Sequence, residues 1–574
     1  MAVKRIDLNQ FLMESCLSSE GIVFEDKLFR RCRQQISPCD NIVMDILTDS
    51  VVSSKIHHHF CSFQFKSQDT TTLEFKDSTI LTNSKGIFIF EEGSAGMLWF
   101  PKGPALRVYD NYGRIMSSRQ SSFATEKQDN CVELRIDEDT NGRIEFPVLR
   151  FETGRERFLD EINNPSRIEK LKVTKAHWFF YESINDVWDY LIDGYVYKTR
   201  HMSVSRAWRC QQQANTLFNY INYLAEKTEK RIYEVVCDII AYSILISLPD
   251  DGRWRHGSWT DRMETHARHQ LEGIHLLLSY YEKTRQQVFL EKAQHAMDYL
   301  ISLSDKLADG SIWFLHDSLE SNSEDYALRY EESFQTKAFG KSATNTLCLN
   351  THLWTLIALH RMNQLKPESR YKESYDLGVK SLKTVLQSRR GQIIFALVYR
   401  LWDFLVSCSL RTKRGFVNKL RWKYDQVLRN NILPRLKQKF PRLYMPNGFI
   451  ERDMGCSEHF NGYHFINIRD LMLFYVQDPQ PWLLPIIKKS VHYTVHGPLV
   501  KFISDKDPRT LKILEVIGMY SELVDESYRT DMTEYLAYFQ KAGKAMPSDV
   551  LANPLVRAYT EKYISVDQGS NLTN

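Results

Sequence analysis

The chain has 574 residues, of which 43% are apolar and 25% charged. At about 150 residues per domain this leaves room for a large core and excludes a disordered tail, a small disulfide scaffold and a fibrous repeat. Lys+Arg of 75 against Asp+Glu of 71 gives +4, too near balance for a generic nucleic-acid binder, so no nucleic-acid partner is expected.

The first fifty residues carry a weak pattern, with Asn41 to Val51 readable as a short helix or a strand. From there to about residue 164, short alternating stretches dominate: CSFQFK from Cys61, TLEF from Thr72, GIFIF from Gly86, AGMLWF from Ala95, then Leu106–Tyr109, Val132–Ile136 and Arg143–Phe151. Asn83-Ser84, Gly93, Pro101 to Pro104, Asn111 to Gly113 and Asp139 to Gly142 punctuate them. Period-2 runs separated by turn residues predict antiparallel β structure.

After about residue 165 the period becomes helical. Helices are predicted over Trp178–Tyr190, Val204–Thr228, Arg231–Leu248, Asp261–Lys283 and Phe289–Leu307. Further helices are predicted over Asn345–Leu365, Tyr371–Gln387, Ile393–Leu410, Phe416–Asn430, Ile466–Tyr475, Trp482–Val495, Leu511–Val524 and Met532–Phe539. Asp261 is read as a helix cap, and Met263, Ala267, Ile274, Leu277, Leu278 and Tyr281 as one apolar face. The segments 275–303 and 352–386 share a texture: a long apolar helix, a polar turn, an aromatic residue and an amphipathic helix. The repeat is too irregular for a thin solenoid. The expected fold is α+β: a β-rich domain over 1–164, a ring of helical hairpins over 165–545 and a tail over 546–574.

Ten scattered cysteines with no CxxC pair, and no apolar leader after Met1, point to a reduced, cytoplasmic protein. The longest apolar stretch, Gly391 to Leu410, contains Arg400 and Asp403. It is read as a buried or peripheral helix, so no membrane span is expected. HExxH, zinc-type cysteine spacing, GxxxxGK[ST], GxGxxG after a strand and GxSxG are all lacking, so neither a metal nor a cofactor is expected.

Polar residues crowd the entrances of helices. The densest segment, 251–275, contains Trp254, His256, Trp259, Asp261, Arg262, Glu264, His266, Arg268, His269 and Glu272. Its plainest reading is a surface Glu264–Arg268 pair, but two loop tryptophans argue for a binding role. A second group holds Asn345, Asn350 and His352, with Asn345 as a candidate cap. A third, in a glycine-rich loop, holds Glu451, Asp453, Glu458, His459, Asn461, Tyr463, His464 and Arg469. A fourth and weaker patch, Asp309 to Glu332, holds Trp313, His316, Asp317, Tyr326 and Tyr330 and is read as a long loop covering a cleft.

The β-first order, the hairpins and the segments HGSWTDRMETHARHQLEGIHLLL and NTLCLNTHLWTLIALHRM resemble the (α/α)-toroid carbohydrate-active enzymes: six-hairpin glycosidases, polysaccharide lyases and glucuronyl C5-epimerases. The resemblance implies a carbohydrate substrate and acid/base chemistry. Hydrolysis would pair Asp261 or Glu264 with Glu458. Lyase or epimerase chemistry would draw its acids and bases from His266, His269, His459 and Tyr463, and its enolate stabilisers from Arg262, Arg469 and Asn350. Trp254, Trp259 and Trp313 would stack on sugar rings, with His256, His352 and His464 as further substrate contacts. The histidine and arginine content favours a uronate, hence an acidic glycan. The competing expectation is a non-enzymatic helical scaffold or binding protein, whose polar clusters would lie apart.

Overall fold

The computed structural model describes residues 3–7, 21–24, 27–35, 43–51, 56–65, 70–128, 131–137, 142–175, 178–199, 206–330, 335–412, 415–454, 462–503 and 508–564. Two compact units emerge: Met1–Lys172 with Trp178–Ile244, and Val173–His177 with Leu245–Asn574.

In the first unit, ten described strands form one sheet. Its order is Gly21–Phe24, Lys27–Gln35, Val43–Val51, Ile56–Phe65, Gly142–Phe151, Met97–Phe100, Gly86–Glu91, Ser78–Asn83. Ala105–Tyr109 pairs with Gly142–Phe151 and with Ile115–Gln120. A second sheet joins Val3–Asp7, Thr70–Lys76, Cys131–Asp137 and Ser122–Gln128, with its first pair parallel. The alternation seen in the sequence is the core pattern. Ile87 and Ile89, Leu98 and Phe100, and Ile144, Phe146 and Val148 point inward from one sheet and meet Leu73, Phe75, Val132 and Ile136 from the other. Each such side chain contributes about 1.5–3 kcal/mol by leaving water, and a slip of one residue would turn it outward. Asn41 to Val51 contains a strand, Val43–Val51. The helix predicted at Trp178–Tyr190 is instead a short strand, Phe179–Tyr181, and a tight turn, Ile184–Asp189. The Ser183–Asp186 capping box closes that turn, and Phe179 stacks on Tyr190 at 5.5 Å. Helices α1 (Arg155–Asn163), α2 (Gln211–Thr228) and α3 (Arg231–Ser247) complete this part of the chain.

The second unit is helical and toroid-like. Its hairpins pair α4 (Ala267–Thr284) with α5 (Gln287–Ser302), and α7 (Leu349–Leu365) with α8 (Ser369–Leu386); α6 (Ser323–Tyr330) lies between them in sequence. They continue with α9 (Gln392–Thr412) and α10 (Gly415–Val427), then, after α11 (Leu433–Lys439), α12 (Tyr463–Gln477) and α13 (Leu484–His496). After the short α14 (Leu499–Ile503) come α15 (Lys512–Leu523) and α16 (Arg529–Lys541), and the segment Ser548–Thr560 packs back on α15. Neighbouring hairpins meet through their first helices: α4 on α7, α7 on α12 and α12 on α15. Those helices are buried almost all round, whereas α5 and α8 keep an exposed face. The α7–α8 approach is close because position 378 is glycine: a Cβ there would lie 2.6 Å from Leu356 Cδ2.

Inner helices carrying charge must pair it. Arg268 on α4 contacts Asp470 on α12 at 2.8 Å and Glu272 at 3.6 Å. Arg469 contacts Asp470 at 3.1 Å and Glu515 on α15 at 3.7 Å. Lys512 joins Glu515 to Asp549, and Lys175 reaches Asp549 at 3.4 Å. All eight residues are buried. Burial opposes ionisation of Asp549, yet Lys175 and Lys512 hold its carboxyl below the usual carboxylate range. Both Arg268 and Arg469 also lie over the Trp354 ring, at 4.4 and 5.2 Å. Removing one member strands its partners in low dielectric. Asp470→Asn is therefore expected to lower unfolding free energy by about 3–5 kcal/mol in chemical denaturation; a loss below about 1 kcal/mol, the range of an exposed pair, would show that the ion chain does not hold α4 to α12.

Candidate active site

The helix expected from Asp261 begins six residues later, at Ala267, with His266 as its cap. Met263 takes a positive φ of 53°, which no helix accommodates. The preceding loop folds around the Glu264 carboxylate, which accepts hydrogen bonds from Ser258 Oγ (3.0 Å), Trp259 N (2.7 Å) and Thr260 Oγ1 (2.7 Å). Glu264 thus organises the loop and does not form the expected pair with Arg268, whose partner is Asp470. Asp261 and Arg262 are exposed, with Arg262 3.8 Å from Asp325.

The fourth patch is not a long loop. It forms a strand, Ile312–Phe314, a short turn, Ser318–Ser321, and α6. Its backbone pairs with the entrance to α4: Ala267 N donates to His316 O at 3.0 Å and Ser318 N to Thr265 O at 2.9 Å. This pairing gathers four histidines. His266 stacks on His269 at 4.4 Å and meets His316 edge-on at 4.5 Å, while His256 meets His269 at 5.1 Å. Trp259, half-buried, lies 4.5 Å from His266, with the Arg329 guanidinium over its ring. Asp317 holds that arm, accepting from Arg329 at 2.5 Å and from Tyr330 OH at 2.6 Å. Glu320 accepts from Thr346 Oγ1 and from His316 N.

His316 links this group to the third sequence cluster. Arg452 donates to His316 Nε2 at 2.9 Å, and His316 Nδ1 lies 2.9 Å from Thr351 Oγ1. The Arg452 guanidinium also sits 4.5 Å from the centre of the Tyr463 ring, and Arg509 sits 4.4 Å from it. His266, His316, Arg452, Tyr463 and Arg509 therefore form one continuous run of contacting side chains, in which the two imidazoles are buried. Burial, reinforced by Arg452 and Arg329, pushes the His316 imidazolium well below the ordinary histidine range; burial and the neighbouring His269 and His316 do the same for His266. Both rings are neutral at pH 7. Burial raises Asp317 and, with Asp317 beside it, Glu320.

The other sequence candidates lie elsewhere. Trp254 is buried, with Nε1 donating to Ser247 Oγ at 3.0 Å. Trp313 is fully buried and stacks on His352 at 3.9 Å, and His352 is pinned by Phe314 N and Gly378 O. These two tryptophans fill the core, so of the three Trp259 is the one that is half-buried and packed against His266 and His316. His464 is a core histidine: Nδ1 accepts from Ile450 N and Nε2 meets Thr494 Oγ1. Asn345 closes a turn at Leu347, whose φ is 53°, and α7 starts only at Leu349. Asn350 is buried; its side-chain oxygen accepts from Cys348 Sγ at 3.0 Å, and its backbone carbonyl accepts from Arg268 of the ion chain, to which Arg469 also belongs. Glu458 and His459 lie outside the described residues, as does Asn461. Among the described residues no group of His, Cys, Asp and Glu is arranged to hold a metal.

Residues 256–390 match the family described as D-glucuronyl C5-epimerase C-terminus. That segment includes the four histidines, Asp317, Glu320 and Arg329. A comparison with curated protein sequences returns no match. Solved structures similar to the chain include cellobiose 2-epimerase from Bacillus thermoamylovorans B4167, at 10% identity over 50% of this chain and 76% of that one, with a TM-score of 0.25. The GH76A α-1,6-mannanase from Salegentibacter sp. HEL1_6 matches at 12% over 61% and 99%, with a TM-score of 0.26. A polysaccharide lyase matches at 8% over 90% and 81%, also with a TM-score of 0.26. At such low identities and scores, the toroid-like description rests on the helix packing itself.

The buried imidazoles give the fold a sign-definite pH dependence. Burial holds His256, His352 and His464 at about 3. An unfolded histidine titrates near ~6.5, so the unfolded chain binds protons first as pH falls. The stability these rings contribute is complete above pH ~6.5 and is lost progressively toward pH 3. At pH ~4.5 each costs about 2–3 kcal/mol. Melting temperature is expected to fall steeply below pH ~6.5, and His352→Gln is expected to flatten that slope; an unchanged slope would assign the acid sensitivity to other groups.

Proposed function

We propose that the protein is a carbohydrate-active enzyme that inverts C5 of uronate residues within a polysaccharide. The observation that carries this reading is the run His266–His316–Arg452–Tyr463–Arg509, in which neutral imidazoles, guanidiniums and a phenol touch one another in sequence. The family match over 256–390 supports it.

The chemistry needs three parts. A base takes the proton on C5, alpha to the carboxylate. The electron pair left behind spreads into the carboxylate, which a cation must neutralise. An acid on the opposite face returns a proton to C5, so no bond of the polymer breaks and nothing is consumed. Arg452 and Arg509 are the cations assigned to the carboxylate. Tyr463 is one proton-transfer group and the His266–His269 pair supplies the other, with Trp259 beside it as a platform for the sugar. Hydrolysis instead needs two carboxyl groups placed about 5–9.5 Å apart astride the scissile bond. The carboxylates gathered here serve other partners: Glu264 binds its loop, Asp317 binds Arg329 and Tyr330, and Glu320 binds Thr346 and His316.

Incubation with a glucuronate-containing polymer in heavy water is expected to place deuterium at C5 without shortening the chain. New reducing ends or unsaturated sugars, without deuterated full-length polymer, would overturn the epimerase reading. Tyr463→Phe is expected to lower kcat by about 10²–10⁴-fold, the range for loss of a proton-transfer group. Because burial depresses His266, its neutral form survives into acid, and the acid limb of kcat/KM is expected below the ~6.5 of a free histidine. A limb at or above that value would remove His266 from the role.

A further inference from the structure

Large apolar side chains are exposed most densely on the hairpin α9–α10. On α9, Ile393 is 76% exposed and Leu397 and Phe404 are each 63% exposed. On α10, Phe416 is 77% exposed and Trp422 60%. Positions 393, 397, 401 and 404 fall on one helical face. The opposite face of α9 is fully committed to the fold. Phe395, Tyr399, Trp402 and Val406 are buried, Tyr399 donates to Glu451, and Trp402 Nε1 donates to Asp425 on α10 at 2.7 Å.

Charge on the same hairpin is one-sided. Residues 392–427 carry seven Lys and Arg against two acids, a net +5, whereas the whole chain carries +4. Both acids are engaged within the fold: Asp403 accepts from Tyr493 and Asn447, and Asp425 accepts from Trp402 and Arg421. Arg400, Arg411, Lys419 and Lys423 are exposed, and the two lysines interleave with Phe416, Leu420 and Trp422. Phe and Trp beside Lys and Arg on one amphipathic surface suit the boundary between lipid headgroups and acyl chains.

We propose that the α9–α10 hairpin docks the protein on an anionic lipid surface, lying in the interface without crossing it. Gln392–Arg411 is long and apolar enough to cross a bilayer by length and composition. Crossing, however, would tear Tyr399 from Glu451, Trp402 from Asp425 and Asp403 from Tyr493, and would leave the Asp403 carboxylate in hydrocarbon. Lying flat keeps every one of these bonds. The exposed stripe enters the acyl boundary while the cations remain at headgroup level. A second copy of this chain is a poorer occupant, because two hairpins of net +5 repel each other.

The test is flotation of the full-length protein with vesicles of phosphatidylglycerol mixed into phosphatidylcholine, against phosphatidylcholine alone, with light scattering for its oligomeric state. The protein is expected to float with the anionic vesicles, and less so as salt rises. Lys419→Gln with Lys423→Gln is expected to weaken partitioning by about 30-fold. Leu397→Ser with Phe404→Ser and Phe416→Ser is expected to abolish it, with the melting temperature unchanged because all three are exposed. Failure to float with anionic vesicles would overturn the proposal, as would equal flotation of either variant. A dimer dissolved by the serine substitutions, without vesicle binding, would overturn it in favour of a second copy.

Discussion

The second unit depends on the buried ion chain through its inner helices. Its members alternate in sign from Glu272 through Arg268, Asp470, Arg469, Glu515, Lys512 and Asp549 to Lys175. Four cations meet four anions, so no net charge is buried. Apolar packing holds α4, α12 and α15 together, and the paired charges add a penalty against slipping, because a shift of one turn leaves ions unpaired in low dielectric. The proposed site uses that alignment. His266 and His269 flank Arg268 at the entrance to α4, and Tyr463 begins the helix that carries Arg469 and Asp470. The same contacts that align the helices therefore bring the entrances of α4 and α12, with their imidazoles and phenol, close together.

Much of the architecture was legible in the sequence. GIFIF, AGMLWF and Arg143–Phe151 alternate because one face of each strand meets the opposing sheet, and all three are strands. Helices with one apolar face overlap their expected spans, but Val204–Thr228 begins only at Gln211 and Phe289–Leu307 ends at Ser302. The largest differences lie at helix starts. Met263 and Leu347 are ordinary helix formers that adopt positive φ, and no local propensity announces that. Both sit where polar loops wrap a carboxylate or an amide, Glu264 in one case and Asn345 in the other. Tertiary hydrogen bonds set those backbone angles.

The candidate site was legible only in part. His266, His269, Trp259 and Tyr463 stood out by type and density. His316 was noticed only as part of a weaker patch, and Arg452 and Arg329 were missed. His316 and Arg452 lie far apart in sequence, and the single hydrogen bond that joins them has no local signature. The same limit explains Trp254 and Trp313. A tryptophan in a polar stretch reads as a binding platform until its ring is found packed, as Trp313 is against His352. His352, His464 and Arg469 also drew attention by type, yet each satisfies a partner in the core. The exposed apolar hairpin was legible as a long apolar stretch broken by Arg400 and Asp403, but which face it buries required the fold.

The proposed site, built from the entrances of α4 and α12, binds a uronate between cations and proton-transfer groups. The most direct measurement is a structure of the protein with a glucuronate-containing oligosaccharide. The carboxylate of one uronate is expected against Arg452 and Arg509, with its C5 about 3–3.5 Å from both Tyr463 and the His266–His269 pair on opposite faces of the ring. A carboxylate bound elsewhere, or a C5 that neither group can reach, would contradict it.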